Sequence, residues 1–141
     1  MNGYIYLIGS LRNGAIPATA SLLRQHDYQV FDDWYAAGPE ADDYWKSYEQ
    51  ARGRGYIEAL QGEAAKNVHR FDQSHLDGAA AAILVLPAGK SGHLELGYMA
   101  GKGKKTFILL DAEHDRWDVM YRFADAVMYP DNMIATLERH I

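Results

Sequence analysis

The chain holds 141 residues, with 14 lysines and arginines against 19 acids, a formal net charge of −5 and no cysteine. That length suits a single domain over residues 1–141 with a core of its own, and the interspersed charges argue against a nucleic-acid duplex or an anionic membrane as partner. Without cysteine there are no disulfides, thiol nucleophiles or thiolate metal sites. The opening MNGYIYLIGS lacks the charged start and apolar length of a signal peptide, and no segment reaches the length of a membrane span. A cytoplasmic domain is therefore expected.

Taken in order, Tyr4 to Gly9 reads as a first strand, followed by the loop Gly9-Ser10-Leu11-Arg12-Asn13-Gly14. Pro17 opens a helix to about Gln25, with Ile16, Leu22 and Leu23 as its core face. Tyr28 to Phe31 is a second strand ending in Asp32-Asp33-Trp34, and a Gly-Pro loop covers Ala36 to Pro39. From Glu40 to about Ala65 the pattern is helical, with Tyr44, Trp45 and Tyr48 on one side and a break predicted at Gly53 and Gly55. Asn67 to Ala80 predicts another helix.

The stretch Ile83 to Gly101, ILVLPAGKSGHLELGYMAG, organises the rest. Its apolar run Ile83 to Leu86 stops at Pro87, as a strand buried on both faces does, and the turn Ala88-Gly89-Lys90 leads into a helix capped by Ser91. Strand, glycine turn and helix N-terminus are where open α/β sheets hold ligands. Thr106 to Leu110 then forms a fourth strand, Asp111 to Trp117 a charged loop, Asp118 to Ala124 a short helix, Ala126 to Tyr129 a last strand and Asp131 to His140 a final helix. This alternation implies a parallel sheet of about five strands with helices on both faces.

Within this frame Glu95 is the outstanding side chain. An acid early in a helix has a plain explanation, since it complements the positive end of the macrodipole. A capping box does not explain it, because with Ser91 as cap the acid would belong at position 94, which is Leu94. A catalytic carboxylate suits the same place: the helix N-terminus would keep it ionised, and Gly92 and Gly97 would let other groups approach.

The loop from Gly9 to Gly14 lacks the Gly-Lys-Ser/Thr ending of a phosphate-binding P-loop, and it is not a GxGxxG motif either. Ser10, Arg12 and the backbone amides after Gly9 could still hold a phosphate or carboxylate, against the plainer reading of an ordinary strand-to-helix loop. Asp32, Asp33 and Trp34 end the second strand on the same rim, where carboxylates could take sugar hydroxyls and an indole could stack on a base; a solvated acidic turn is the plain alternative. No metal-ligand spacing occurs, and Glu113, His114 and Asp115 read as surface. His93, two residues before Glu95, falls on another face of the helix.

The segments Tyr6-Leu7-Ile8-Gly9-Ser10-Leu11-Arg12 and Ser91-Gly92-His93-Leu94-Glu95-Leu96-Gly97-Tyr98, the latter followed by Gly101-Lys102, resemble the nucleoside 2-deoxyribosyltransferase family. The resemblance runs from the first strand to the fourth, and S-G-x-x-E-x-G-Y is its most specific part. It implies a flavodoxin-like α/β domain that forms homodimers or larger homo-oligomers, an assembly the aromatic run Tyr44, Trp45, Tyr48 also suits. It further implies cleavage of the N-glycosidic bond of a nucleoside or nucleoside 5′-monophosphate, with the sugar passed to another base or to water and no cofactor or metal required. Glu95 would be the nucleophile and Tyr6 would position it. Ser10 and Arg12 match the phosphate loop of the branch that hydrolyses deoxynucleoside 5′-monophosphates, and Ser91 and Gly92 would add backbone and hydroxyl donors. One departure stands out: where many members carry an aspartate that handles the proton of the departing base, this chain has Ala80, leaving Asp32 or Asp33 as the candidate acids. Two other functions fit the residues: a nucleotide-binding module without turnover, and cleavage of a dinucleotide such as NAD.

Overall fold

The computed structural model describes residues 1–112 and 117–141; the cluster Glu113, His114 and Asp115 lies outside the described residues. Among those described, five strands form one sheet: β1 (Tyr4–Ile8), β2 (Gln29–Phe31), β3 (Ala81–Val85), β4 (Lys105–Leu109) and β5 (Ala126–Met128). They lie in the order β2-β1-β3-β4-β5, and every neighbouring pair is parallel. The helices are α1 (Ile16–Gln25), α2 (Ala41–Ala51), α3 (Tyr56–Leu60), α4 (Glu63–Gly78), α5 (Lys90–Gly101) and α6 (Met133–His140). The expected flavodoxin-like α/β architecture is therefore the one observed. Among the described residues no helix is long and apolar enough to cross a membrane.

The two faces of the sheet are read off the strands by alternation. Ile5, Leu7, Ile83, Val85, Phe107 and Leu109 point to one side, where α1 brings Ile16, Ala20 and Leu23 and α6 brings Met133 and Leu137. Tyr6, Ile8, Ala82, Leu84 and Ile108 point to the other, where α4 brings Leu76 and α5 brings Leu96 and Met99. Both faces are covered, so the central strands are apolar throughout rather than alternating, and β3 is buried along its whole length.

Several boundaries differ from expectation, each for a local reason. The central strand begins at Ala81 rather than Ile83: Ala81 and Ala82 are registered between Ile5 and Tyr6 on one side and Lys105 and Thr106 on the other, and this pairing overrides alanine's weak preference for strands. The long helical stretch does break in the glycine region, at Gly53 with φ +74°, but the following helix starts at Glu63, directly after Gly62, rather than at Asn67. Ser91 is not the cap of α5. The extended residue before the helix is Gly89, and Ser91 is already its second residue. The short helix expected after the fourth strand is a 3-10 turn, Val119–Phe123, whose cap Asp118 accepts from the Met120 amide.

From β1 the chain leaves to α1 on one face, and from β3 it leaves to α5 on the other. The carboxyl ends of these adjacent strands diverge and leave a crevice between them. Tyr6 lies midway along β1, on the side of the sheet that α5 covers.

Candidate active site

Close packing seats α5 on the sheet. A Cβ at Gly92 would stand 2.9 Å from Leu84 Cδ1 and 3.4 Å from Ile8 Cγ2, so only glycine lets the helix approach this near. The expectation that Gly92 and Gly97 admit outside groups is thus corrected for Gly92, whose free space is taken by the core; Gly97 faces open space. Glu95, three residues after Gly92, lies on the same side of the helix, while Leu94 beside it is 74% exposed. The Tyr6 hydroxyl donates a hydrogen bond to the Glu95 carboxylate.

Glu95 is not held ionised by the helix end. With Gly89 as cap it sits in the second turn, beyond the unpaired amides that carry the dipole's effect. Burial pushes its pKa up to about 7, a neighbouring charge on Asp72 adds to the rise, and the bond from Tyr6 acts in the opposite direction. The Tyr6 hydroxyl is pushed up as well, chiefly by burial and then by the carboxylates of Glu95 and Asp72, so it stays a donor at any ordinary pH.

Asp72, whose charge acts on Glu95, is the residue of this site that the sequence did not single out. It lies on α4, with its own pKa raised by burial and pulled back by the imidazoles of His69 and His75. These histidines stand three residues before and after it, on one helical face. The pattern H-x-x-D-x-x-H is legible in the chain, but its spacing does not say that this helix face meets Glu95. His75 is fixed in turn: its ring stacks on Phe31 at 4.1 Å between centroids, its Nδ1 meets the Phe71 carbonyl at 2.8 Å, and Phe31 packs on Tyr6 at 5.1 Å.

A second set of bonds locks α4 against α5 and thereby Asp72 against Glu95. The Lys104 ammonium donates to the carbonyls of Leu76, Asp77 and Ala79 at the end of α4, where unpaired carbonyls favour a cation. The Tyr98 hydroxyl donates to Asp77 and accepts from Gln73 Nε2 at 3.2 Å. Asp77 is therefore committed to Tyr98 and, at 3.8 Å, to Lys102. Ala80 donates its amide to the Tyr4 carbonyl in continuation of the sheet. The carboxylate that faces Glu95 comes from α4, and neither Asp32 nor Asp33 supplies it.

Most of the residues expected at the rim are engaged with the protein. Ser10 Oγ accepts from the Arg12 amide at 3.1 Å, which leaves its hydrogen to donate. Arg12 donates through Nε to the Pro39 carbonyl at 3.2 Å and through a terminal nitrogen to Asp43 at 3.0 Å. Gly9 is crowded by Ile16, whose Cδ1 would lie 2.7 Å from a Cβ there. Asp32 pairs with Arg24 at 2.8 Å, and Trp34 donates its indole N–H to the Leu7 carbonyl at 2.7 Å. Asp33 is exposed at the start of a 3-10 turn, Asp33–Ala37, and Ser91 is exposed on α5. Asn13, unremarked in the sequence, is buried: its Nδ2 donates to the carbonyls of Val85 at 3.2 Å and Pro87 at 3.4 Å, and its Oδ1 accepts from Ala15. His93 is held away from Glu95 by the Gly89 carbonyl and the Tyr121 hydroxyl, each within 3 Å. Of the aromatic run, Tyr44 and Tyr48 are exposed and Trp45 packs edge-on against Tyr56. Among the described residues no group of three or more histidines and acids could hold a metal ion.

No family model and no curated protein matches the chain. Among solved structures it is similar to that of the Clostridium botulinum CMP N-glycosidase BcmB, with a TM-score of 0.56, 13% identity and 96% of each chain covered. At that identity the likeness speaks for the shared fold.

Proposed function

We propose that this chain is an enzyme that cleaves the N-glycosidic bond of a nucleoside or nucleoside 5′-monophosphate and passes the sugar to water or to another base. The observation that carries the proposal is the pair Glu95 and Asp72, two half-buried carboxylates on α5 and α4, with the Tyr6 hydroxyl on one of them. The likeness to a CMP N-glycosidase over nearly the whole chain and the S-G-x-x-E-x-G-Y segment support the same reading.

The chemistry follows from how the pair titrates. Burial raises both carboxyls, and the charge on Asp72 helps hold the Glu95 proton up to about 7, so near that value the pair still holds a proton. The reactive arrangement has that proton on Asp72 and the charge on Glu95, which the Tyr6 hydroxyl favours by stabilising the carboxylate. A Glu95 oxygen attacks the anomeric carbon, the carbon–nitrogen electron pair leaves with the base, and Asp72 gives its proton to the departing nitrogen. In the second half, the Asp72 carboxylate takes a proton from water or an acceptor base as that group attacks the same carbon and frees Glu95. Ser10 and Arg12 hold the 5′ end.

The deciding experiment incubates the protein with each deoxynucleoside and 5′-monophosphate, with and without an acceptor base, and follows free base by chromatography. Release in water marks a hydrolase, and release that needs the acceptor marks a transferase. No release from any of them, in a folded protein, would refute the reading in favour of a binding module.

A further inference from the structure

Arg12 already has an anionic partner. Its guanidinium reaches across from the β1–α1 loop to the segment before α2, donating to the Pro39 carbonyl and to the Asp43 carboxylate. Asp43 lies in the first turn of α2, where an acid needs no further explanation than the helix dipole. Its neighbour Asp42 meets that need equally well, but the bond to Arg12 belongs to Asp43. We infer that Asp43 stands in for the 5′-phosphate on Arg12 and so sets how strongly the site distinguishes phosphorylated from unphosphorylated substrates. The inference rests on the reading that Ser10 and Arg12 hold the 5′ end.

Three features make the exchange physically sound. Both side chains of the pair are 66% exposed, so the contact lies in water and is weak enough to trade. A phosphate dianion carries more charge and more acceptor oxygens than a carboxylate, and it can take two guanidinium hydrogens at once, whereas Asp43 takes one. Finally, both Arg12 contacts fall on residues 38–43, so one guanidinium ties this strap to the β1–α1 loop. An incoming phosphate would thus displace Asp43 and release that strap, while a nucleoside would leave both in place.

The test titrates 2-deoxyribose 5-phosphate by calorimetry, which needs no turnover, alongside KM values for a nucleoside and its 5′-monophosphate. Asp43→Asn should bind the sugar phosphate roughly two- to fivefold more tightly than the parent, lower the KM of the monophosphate by the same factor and leave the nucleoside unaffected. Asp42→Asn controls for charge alone and should change binding less. In an Arg12→Ala background Asp43→Asn should bring no gain. Equal affinities in Asp43→Asn and the parent, an equal gain in Asp42→Asn, or no binding by any of the proteins would overturn the inference. A gain in binding without base release from any substrate would retain it and remove the proposed reaction; base release with no effect of Asp43→Asn would do the reverse.

Discussion

The two faces of one sheet serve different ends. On the side covered by α1 and α6, the strands offer Ile5, Leu7, Ile83, Val85, Phe107 and Leu109, and none of these strand side chains is ionisable. On the side covered by α4 and α5, the same strands place Tyr6 among Ile8, Ala82 and Leu84, and the helices add Glu95 and Asp72 at the margin of the apolar core. The first face supplies cohesion. The second gives some of it up, because partly burying two neighbouring carboxylates is unfavourable, and that placement raises the proton affinity of both, that of Glu95 to about 7.

Four changes would break or sharpen this contrast. The largest effect is expected for Glu95→Gln, which should lower base release by about 10³-fold or more while the fold persists. The same variant should be more stable than the parent above pH 7. A carboxyl whose folded value, about 7, exceeds its ordinary 4.5 lets the folded chain hold a proton the unfolded chain has lost, so stability falls as pH rises between those values. Removing the carboxyl removes that loss, on the order of 2 kcal/mol, and melting curves at pH 5 and pH 8 would reveal it as a gain confined to the higher pH. If the gain appeared at both, burial of the charge would not be its source.

On the opposite face, Phe107→Ala should destabilise by about 3–5 kcal/mol in chemical denaturation, with the kcat of the remaining folded protein little changed. A matching loss of kcat would mean that the faces are not independent. Asp72→Asn should cost about 10²-fold in kcat/KM. The parent should show a bell-shaped pH profile with its alkaline limb near 7, where the shared proton is lost; the variant should lose that limb and, freed of the neighbouring charge, show a Glu95 titration shifted to lower pH. A substrate whose leaving group needs no proton should restore much of the variant's rate. The smallest effect is expected for Tyr6→Phe, about tenfold in kcat, since the ring that fills the core is kept and only the hydrogen bond that favours the Glu95 charge is removed. The Glu95 pKa should rise in that variant.

The sequence was most legible where apolar runs and glycine breaks coincide. All five strands can be placed from the chain alone, whereas the association of Tyr6 with Glu95 comes from the family resemblance. Asp72 was not singled out, because a carboxylate's role depends on which helix face it shares with distant residues, and α4 was taken to begin four residues late, at Asn67 instead of Glu63. The state of Glu95 was misjudged for a related reason: the glycine cap at Gly89 moves it from the dipole's reach into the second turn, and burial, which local spacing does not reveal, then sets its pKa. Lys104 illustrates the same limit, since three carbonyls from the end of α4 converge on it across some 25 residues of chain.

Asn13 carries a consequence for how the crevice can open. One buried amide fastens the loop after β1 to the last residues of β3, so the two loops that diverge from the sheet are riveted together at their base. A molecule cannot enter by prising them apart without breaking that rivet and exposing the end of the central strand. The tie from Arg12 to residues 38–43 is exposed instead, so it can be broken without uncovering the end of the central strand.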